Sequence, residues 1–500
     1  MNRNIIILTL CVLCSCTNLK EKVYSDISQE MFFQDKKAVE LYMGKAYQTL
    51  QGYCTEQSLW TLNIQAADEC AVPINNNGAW TEPRYRELQQ HTFTASNTLI
   101  ERGWDFCFDG IAACNDVIKK MSDTSIQFAE KGKIISEIRV LRAFYYFCAM
   151  DAWGNIPFST DPDDKSYPPQ KDRAFIFDFI ISEIEDSKDD LDDIPSSANY
   201  GRTTQGAAYT LLAKIYLNAE EWVGTPMYDK AEEACLRVIE SGKYHIENDY
   251  KKNFEVVNET SRENIFVIPY DNVYTQTDHS SFVIFMMALD AVNAEKFNIP
   301  ATVWNGFVCQ PDFFELYDTA DVRLAATWLY GQQYNSSGQP VSGYIINGVF
   351  DEAKYLSGRA QTDGAKLWKW TYQPDVLTSD QQGMSNDYAV FRYADVLYMY
   401  AEALIRQGKG VSAAINLADF ALIRTRAGLQ PFSTLDEETL LKERGIELAW
   451  EGWRRQDLIR FGRWGDKWWA KPSSSPAKKL YPLPTRRIRV NPNLVQNPGY

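Results

Sequence analysis

The amino-acid sequence predicts a mainly α-helical fold, built of helix pairs stacked like tetratricopeptide repeats and carrying a loop-rich lobe with short strands. Three observations lead there. Apolar side chains recur at helical spacing in one segment after another. A packing pattern also repeats: Ala401, Ala413, Leu417 and Phe420 stand 12, 4 and 3 apart, and Ala213 and Tyr216, followed by Ala231, Cys235 and Val238, keep the 4 and 3 spacing. Small residues let two helices approach, and the larger ones fill the groove between pairs. Finally, the helical rhythm weakens between about residues 243 and 386, where 331–359 is rich in Gly, Ser, Asn and Gln.

In chain order, residues 31–53 read as a first helix with Val39, Tyr42, Met43, Ala46 and Leu50 on one face. Residues 61–98 break the period with Pro73, Asn75-Asn76-Asn77-Gly78 and Pro83, as a long loop would. Helices resume at 100–121 and 133–153, the latter stopped by Gly154 and Pro157, then at 174–191 and 203–222. Asn264 to Tyr270 reads as a buried strand, and 331–359 as hairpins or an excursion. Residues 388–404 are apolar around the whole circumference and read as a buried helix closed by Gly408 and Gly410. A second helix spans 413–427, and a third, 443–461, places Glu443, Glu447 and Glu451 four apart with Arg455 four beyond, where Glu451 and Arg455 can pair. The tail from Leu480 to Tyr500 is extended.

Composition narrows the function classes. Hydrophobic content of 45% with 23% charged residues belongs to a folded chain, and 500 residues exceed one ordinary core. A net charge of −15 argues against nucleic acid as a partner, because its phosphates would repel such a surface. The 14 Trp and 28 Tyr suit helix packing and sugar-binding surfaces alike. At the N-terminus, Arg3 precedes an apolar run from Ile5 to Leu13 that is too short to span a bilayer. Leu13-Cys14-Ser15-Cys16 resembles a bacterial lipobox, with Cys14 departing from the usual small residue. Residues 1–16 are thus expected to be a signal ending in a lipidated Cys16, and 17–30 a polar tether. Of ten cysteines, Cys54, Cys70, Cys107, Cys114, Cys148, Cys235 and Cys309 remain for the body. They show no CxxC spacing and no legible zinc site or disulfide framework, so core packing is the expectation for most.

The wording of the C-terminal helices resembles a known family. Arg392-Tyr393-Ala394-Asp395-Val396-Leu397-Tyr398, Tyr400-Ala401-Glu402-Ala403-Leu404, Ile423-Arg424-Thr425-Arg426-Ala427-Gly428-Leu429, Glu443-Arg444-Gly445-Ile446-Glu447-Leu448 and Glu451-Gly452-Trp453-Arg454-Arg455-Gln456-Asp457-Leu458 resemble the SusD/RagB proteins. These are outer-membrane lipoproteins that capture nutrients, mostly glycans, for a TonB-dependent transporter. The resemblance implies a SusD-like superhelix of four tetratricopeptide-like pairs: three within 31–242, a variable lobe at 243–386, and a C-terminal region at 387–500. It further implies a SusC-like transporter as partner, an oligosaccharide ligand, no cofactor, and a body anchored to the outer membrane facing the exterior.

No local catalytic motif stands out in the sequence. His91, His245 and His279 stand alone with no HExxH, and neither a Walker loop nor a GxSxG elbow occurs. A glycosidase needs two carboxylates about 5–10 Å apart across a cleft, and no local motif proposes that pair. Surface glycoside hydrolase, and helical scaffold binding only protein or peptide, stay as the alternatives to glycan binding. A sugar ring stacks its C–H face on Trp or Tyr while its hydroxyls seek Asn, Asp, Gln or Arg. Two non-helical stretches mix those types, Asp68 to Tyr85 and Tyr270 to Tyr274 with Trp304 to Phe307. The candidate ligand-binding residues are Asp68, Glu69, Trp80, Arg84, Tyr85, Tyr274, Trp304 and Asn305. Trp80 reads as either an exposed platform or a loop anchor, Trp304 as platform or packing, and Asp68 and Glu69 as ligand contacts or loop caps.

Overall fold

The computed structural model describes residues 36–123, 128–275, 282–300, 302–373 and 383–500. The expected signal, Cys16, the tether, the first residues of the first helix and His279 lie outside these. Helices dominate, and the strands are few and short. The N-terminal helices are α1 (Lys36–Gln48), α2 (Leu59–Gln65), α3 (Pro83–Gln89), α4 (Thr98–Ser122), α5 (Lys131–Trp153), α6 (Arg173–Glu185), α7 (Gln205–Leu217) and α8 (Tyr228–Glu240). Their starts are written locally. Asn97, Asp172 and Thr204 each accept a hydrogen bond from a backbone N–H in the first turn of α4, α6 and α7. The stop after α5 is Gly154 at φ +72°, a conformation that side-chain-bearing residues avoid.

Pairing follows the small residues. Gly110 of α4 meets the Tyr145 ring of α5 so closely that a Cβ there would lie 2.3 Å from it. Ala213 of α7 and Ala231, Cys235 and Val238 of α8 are all buried between their helices, and α8 in turn packs on a helix from the C-terminal third.

Two buried strands link the lobe to that third. β1 (Asn264–Ile268) pairs antiparallel with β2 (Tyr388–Arg392), placing Tyr388 opposite Ile268 and Arg392 opposite Asn264. The strand at 264–268 was expected; its partner was not, because 388–404 reads as one helix. Helix α9 (Tyr393–Arg406) begins only at Tyr393, since an unbroken apolar run carries no period to separate a buried strand from a buried helix. Within 331–359, which read as hairpins or an excursion, Gly331–Tyr334 and Pro340–Ile346 form a hairpin.

Three further expectations are corrected. The stretch 61–98 is not loop throughout, since it holds most of α2 and all of α3. The helix expected at 413–427 is broken into Ser412–Ile415 and α10 (Ala418–Thr425) by an extended Leu417, and Ala414 instead of Ala413 fills the small packing position. The helix expected at 443–461 is two helices, α11 (Glu437–Glu447) and α12 (Arg454–Arg460), because Trp450 at φ +57° and Gly452 at φ +83° turn the chain between them.

That turn redirects every charge on the predicted acidic face. Glu447 accepts from Arg323 (3.1 Å), Arg392 (3.0 Å) and Arg426 (2.6 Å), all fully buried. Glu451 accepts from Arg392 (2.9 Å) and Lys369 (2.6 Å), and Arg455 pairs with Asp151 (2.7 Å) instead of Glu451. The three arginines hold the Glu447 carboxyl well below the usual carboxylate range against the opposing effect of burial. All seven cysteines of the described residues are buried. Among the described residues no helix is long and apolar enough to cross a membrane.

Candidate functional site

The first nominated stretch meets the Trp304–Phe307 part of the second. Between α2 and α3 the chain turns at Asn75 to Gly78, where the Gly78 N–H donates to the Asn75 carbonyl (2.9 Å) and Gly78 takes φ +82°. Trp80 follows at φ +62°, a left-handed conformation that a bulky residue seldom adopts. It is held there by Arg86, whose guanidinium donates to the carbonyls of Trp80 (2.7 Å) and Thr81 (2.6 Å). The Trp80 indole N–H donates to the Trp304 carbonyl (2.8 Å), and its ring meets Tyr85 and Phe307 edge-on. Gly306 is the floor under that ring, since a Cβ there would stand 2.3 Å from the indole.

Trp304 and Asn305 are fixed from below. The Trp304 N–H donates to Met286 O (2.7 Å), and Asn305 takes φ +50°. The Asn305 carbonyl accepts from Asn75 Nδ2 (2.9 Å) and Arg359 Nη2 (2.7 Å), and its Oδ1 accepts from Lys366 Nζ (2.6 Å) and again from Arg359 (3.1 Å). Lys366 is fully buried and pairs with Asp290 (2.6 Å); burial pushes its ammonium down to about 8. Arg359, Lys366 and Asp290 were not singled out in the sequence. They lie 54, 61 and 15 residues from Asn305, and no local pattern points to them.

The eight nominated residues therefore divide. Trp80 and Trp304 are both half-buried and are joined through the Trp304 backbone carbonyl, and Asn76, Asn77, Thr81 and Glu82 beside Trp80 are exposed. Arg84 is half-buried, lies over the Tyr85 ring with its guanidinium carbon 5.0 Å from the centroid, and donates to the Tyr85 hydroxyl (3.2 Å). Tyr85 is sealed, its hydroxyl donating to the Glu56 carboxylate, so its ring offers no face to solvent. Asn305 is buried and its amide oxygen is taken by Lys366 and Arg359. Glu69 is also interior: its Oε2 accepts the Trp450 N–H (2.7 Å), and burial pushes its carboxyl up to about 8. Asp68 makes a two-pronged ion pair with Arg454 (both contacts 2.8 Å) and opens on a separate cavity of 570 Å³ lined by Leu441, Phe461 and Trp468. Tyr274 is 87% exposed, on a turn in which the Asp271 carboxylate accepts the N–H groups of Val273 (2.7 Å) and Tyr274 (2.9 Å). Among the described residues no ring contact or hydrogen bond joins Tyr274 to the indole pair.

The arrangement is suited to stacking an apolar face and hydrogen-bonding polar groups around it. His91 does structural work: it is buried between Ala66 O and Ser474 Oγ (both 2.8 Å), and burial lowers it to about 3. Among the described residues no cluster of His, Cys, Asp and Glu could hold a metal ion.

Comparison with known proteins supplies the lineage. The model described as "SusD family" matches residues 262–500, and that described as "Starch-binding associating with outer membrane" matches 19–217. The starch-binding protein SusD of Bacteroides thetaiotaomicron is 28% identical over 411 residues, covering 73% of this chain and 72% of that one. A laminarin-binding SusD-like protein superposes with a TM-score of 0.76 at 21% identity, covering 93% of this chain and 100% of the other. Surface glycan-binding protein A from Bacteroides thetaiotaomicron, in complex with laminarihexaose, gives 0.73 at 21% identity, covering 92% and 99%. The relatives are named as binding proteins, not as enzymes. The two family matches together span most of the sequence, and the chain belongs to the SusD family.

Proposed function

We propose that this chain binds oligosaccharide on the Trp80–Trp304 pair and delivers it to a SusC-like TonB-dependent transporter, anchored to the outer membrane through a lipidated Cys16 and facing the cell exterior. The observation that carries the binding reading is the indole pair. The Trp80 indole is hydrogen-bonded to the backbone of Trp304, 224 residues away, and both tryptophans are half-open to solvent, with exposed Asn and Glu beside Trp80. Arg84 and Tyr274 are the nominated residues with surface left to add contacts. Tyr85 and Asn305 support the platform from within, and Glu69 and Asp68 belong to the scaffold around it. The names of the relatives, for starch and laminarin, support a glucan as the class of ligand. A shallow site of two or three aromatics binds at about 1 mM to 1 μM, or roughly −4 to −8 kcal/mol, which suits a ligand that is to be handed on.

Calorimetry with a starch-derived hexasaccharide and with laminarihexaose tests the assignment. Trp80→Ala and Trp304→Ala should each abolish heat of binding while the protein stays folded. Unchanged affinity in both variants would remove the site. Release of shorter products from either sugar would favour a hydrolase instead.

A further inference from the structure

Cys70 and Cys309 stand directly opposite each other in a short antiparallel pair, Cys70–Ala71 against Val308–Cys309. The hydrogen bonds around them fix the type of pairing. Gln310 N–H donates to Glu69 O (3.4 Å), one residue outside the pair on each strand, while Cys309 N–H donates away, to Ala365 O (2.9 Å). The two cysteines thus occupy a non-hydrogen-bonded position, where opposed Cα atoms approach to about 4.5 Å and both side chains leave the same face. A disulfide spans Cα separations of about 4.4–6.8 Å. In this structure both are thiols, both fully buried, and the Cys70 sulfur accepts from Gln65 Nε2 (3.0 Å), a contact that a disulfide sulfur would keep.

We propose that Cys70 and Cys309 are joined by a disulfide in the exported protein. The family description places such chains at the outer membrane, beyond the reducing cytosol. Burial raises both thiols well above their ordinary range, so the folded protein supplies little thiolate. Oxidation therefore belongs to the stage when the two strands have met but the lobe has not closed over them. One thiolate attacks the disulfide of an exported thiol–disulfide oxidoreductase, giving a mixed disulfide and one free thiol on the enzyme. The second thiolate then displaces the enzyme's sulfur. Two thiols lose two protons and two electrons, and the oxidoreductase disulfide is reduced to a dithiol. The bond would tie the segment leading to Trp80 to the strand that begins two residues after Gly306, stapling together the two halves of the indole platform.

The test is made on protein purified from the envelope of exporting cells, acid-quenched and alkylated under denaturing conditions without reductant. Of the seven cysteines between 54 and 309, five should be alkylated and two protected, and a non-reducing peptide map should join the peptides carrying 70 and 309. In Cys70→Ser all six remaining thiols should be alkylated, and reductant should lower Tm in the parent but not in this variant. Full alkylation of all seven in the parent overturns the proposal. So does a linkage elsewhere, for which Cys107 on α4 and Cys148 on α5 are the neighbouring pair to watch, or two protected thiols persisting in Cys70→Ser.

Discussion

Asn305 shows how one side chain joins the scaffold to the surface. Its carbonyl accepts from Arg359 and its amide oxygen from both Lys366 and Arg359, buried cations whose other partners include Asp290 for Lys366 and the Asp363 carbonyl for Arg359. Replacing Asn305 with Ala removes hydrogen bonds to charged donors, each contributing about 1.5–3 kcal/mol, and leaves a β-carbon in a strained conformation. Urea unfolding should register a loss of about 2–4 kcal/mol, and sugar affinity should fall because the Trp304 carbonyl is no longer held toward Trp80. A variant with the parent's midpoint and affinity would show that the clamp is decorative. Glu69 gives a pH signature. Its folded carboxyl titrates near 8 against 4.5 for the free group, so between those values the folded chain holds a proton that the unfolded chain has released. Stability must then decline as pH rises from about 5 to 8. Glu69→Gln, isosteric and uncharged, should match the parent near pH 5 and exceed it at pH 8; parallel curves would contradict the assignment. Neither role was legible locally. The sequence marks Asp68 to Tyr85 as polar, aromatic and non-helical, but Glu56, Trp450 and Lys366 decide which of its residues face water, and they lie far away in the chain.

Two long helices were read to within two residues: α4 was expected at 100–121 and α5 at 133–153, and they occupy Thr98–Ser122 and Lys131–Trp153, whereas the helices expected at 174–191 and 203–222 stop early, at Glu185 and Leu217. What escaped were short elements and breaks that the apolar spacing does not mark. β2 hides in an apolar run that has no period, and the break between α11 and α12 hides in a stretch whose helical spacing continues through it. Physically, the break is sustained by contacts from elsewhere: Glu69 on the Trp450 N–H, and the Tyr388 hydroxyl donating to the Glu451 carbonyl (2.7 Å). The same region holds its elements together by charge. Glu447, at the end of α11, receives one arginine from β2, one from the chain just after α10 and one from the lobe. Glu447→Gln leaves those three cations undercompensated and should cost about 3–5 kcal/mol at neutral pH. Because the folded carboxyl titrates below its unfolded value, its contribution is present above about pH 4.5 and is lost as pH falls further. Parent and variant stabilities should therefore converge in acid, at the opposite end of the scale from the Glu69 effect. A constant gap from pH 3 to pH 7 would mean that the loss is steric.

At the scale of the molecule, the proposed platform and the proposed leash would explain each other. Affinity between about 1 mM and 1 μM retains too little ligand for a protein diffusing freely outside the cell, yet it is adequate where the binder sits beside its transporter. Tethering converts the transfer into a local event whose effective concentration reaches about the millimolar range for short linkers. Several acyl chains on Cys16 would supply that tether, since each buried methylene contributes about 0.8 kcal/mol and a single chain holds only reversibly. The anchor and the platform are then separable functions on one chain. Cys16→Ala should leave the calorimetric Kd of the body unchanged, move the protein from the membrane fraction to the soluble fraction, abolish incorporation of labelled fatty acid, and abolish uptake-dependent growth on the bound oligosaccharide. Trp80→Ala should do the reverse, keeping the membrane fraction and losing the sugar. If the Cys16→Ala protein still sediments with the outer membrane, the attachment lies elsewhere. If it becomes soluble and growth persists, capture does not need the leash, and the delivery reading fails while the binding site stands.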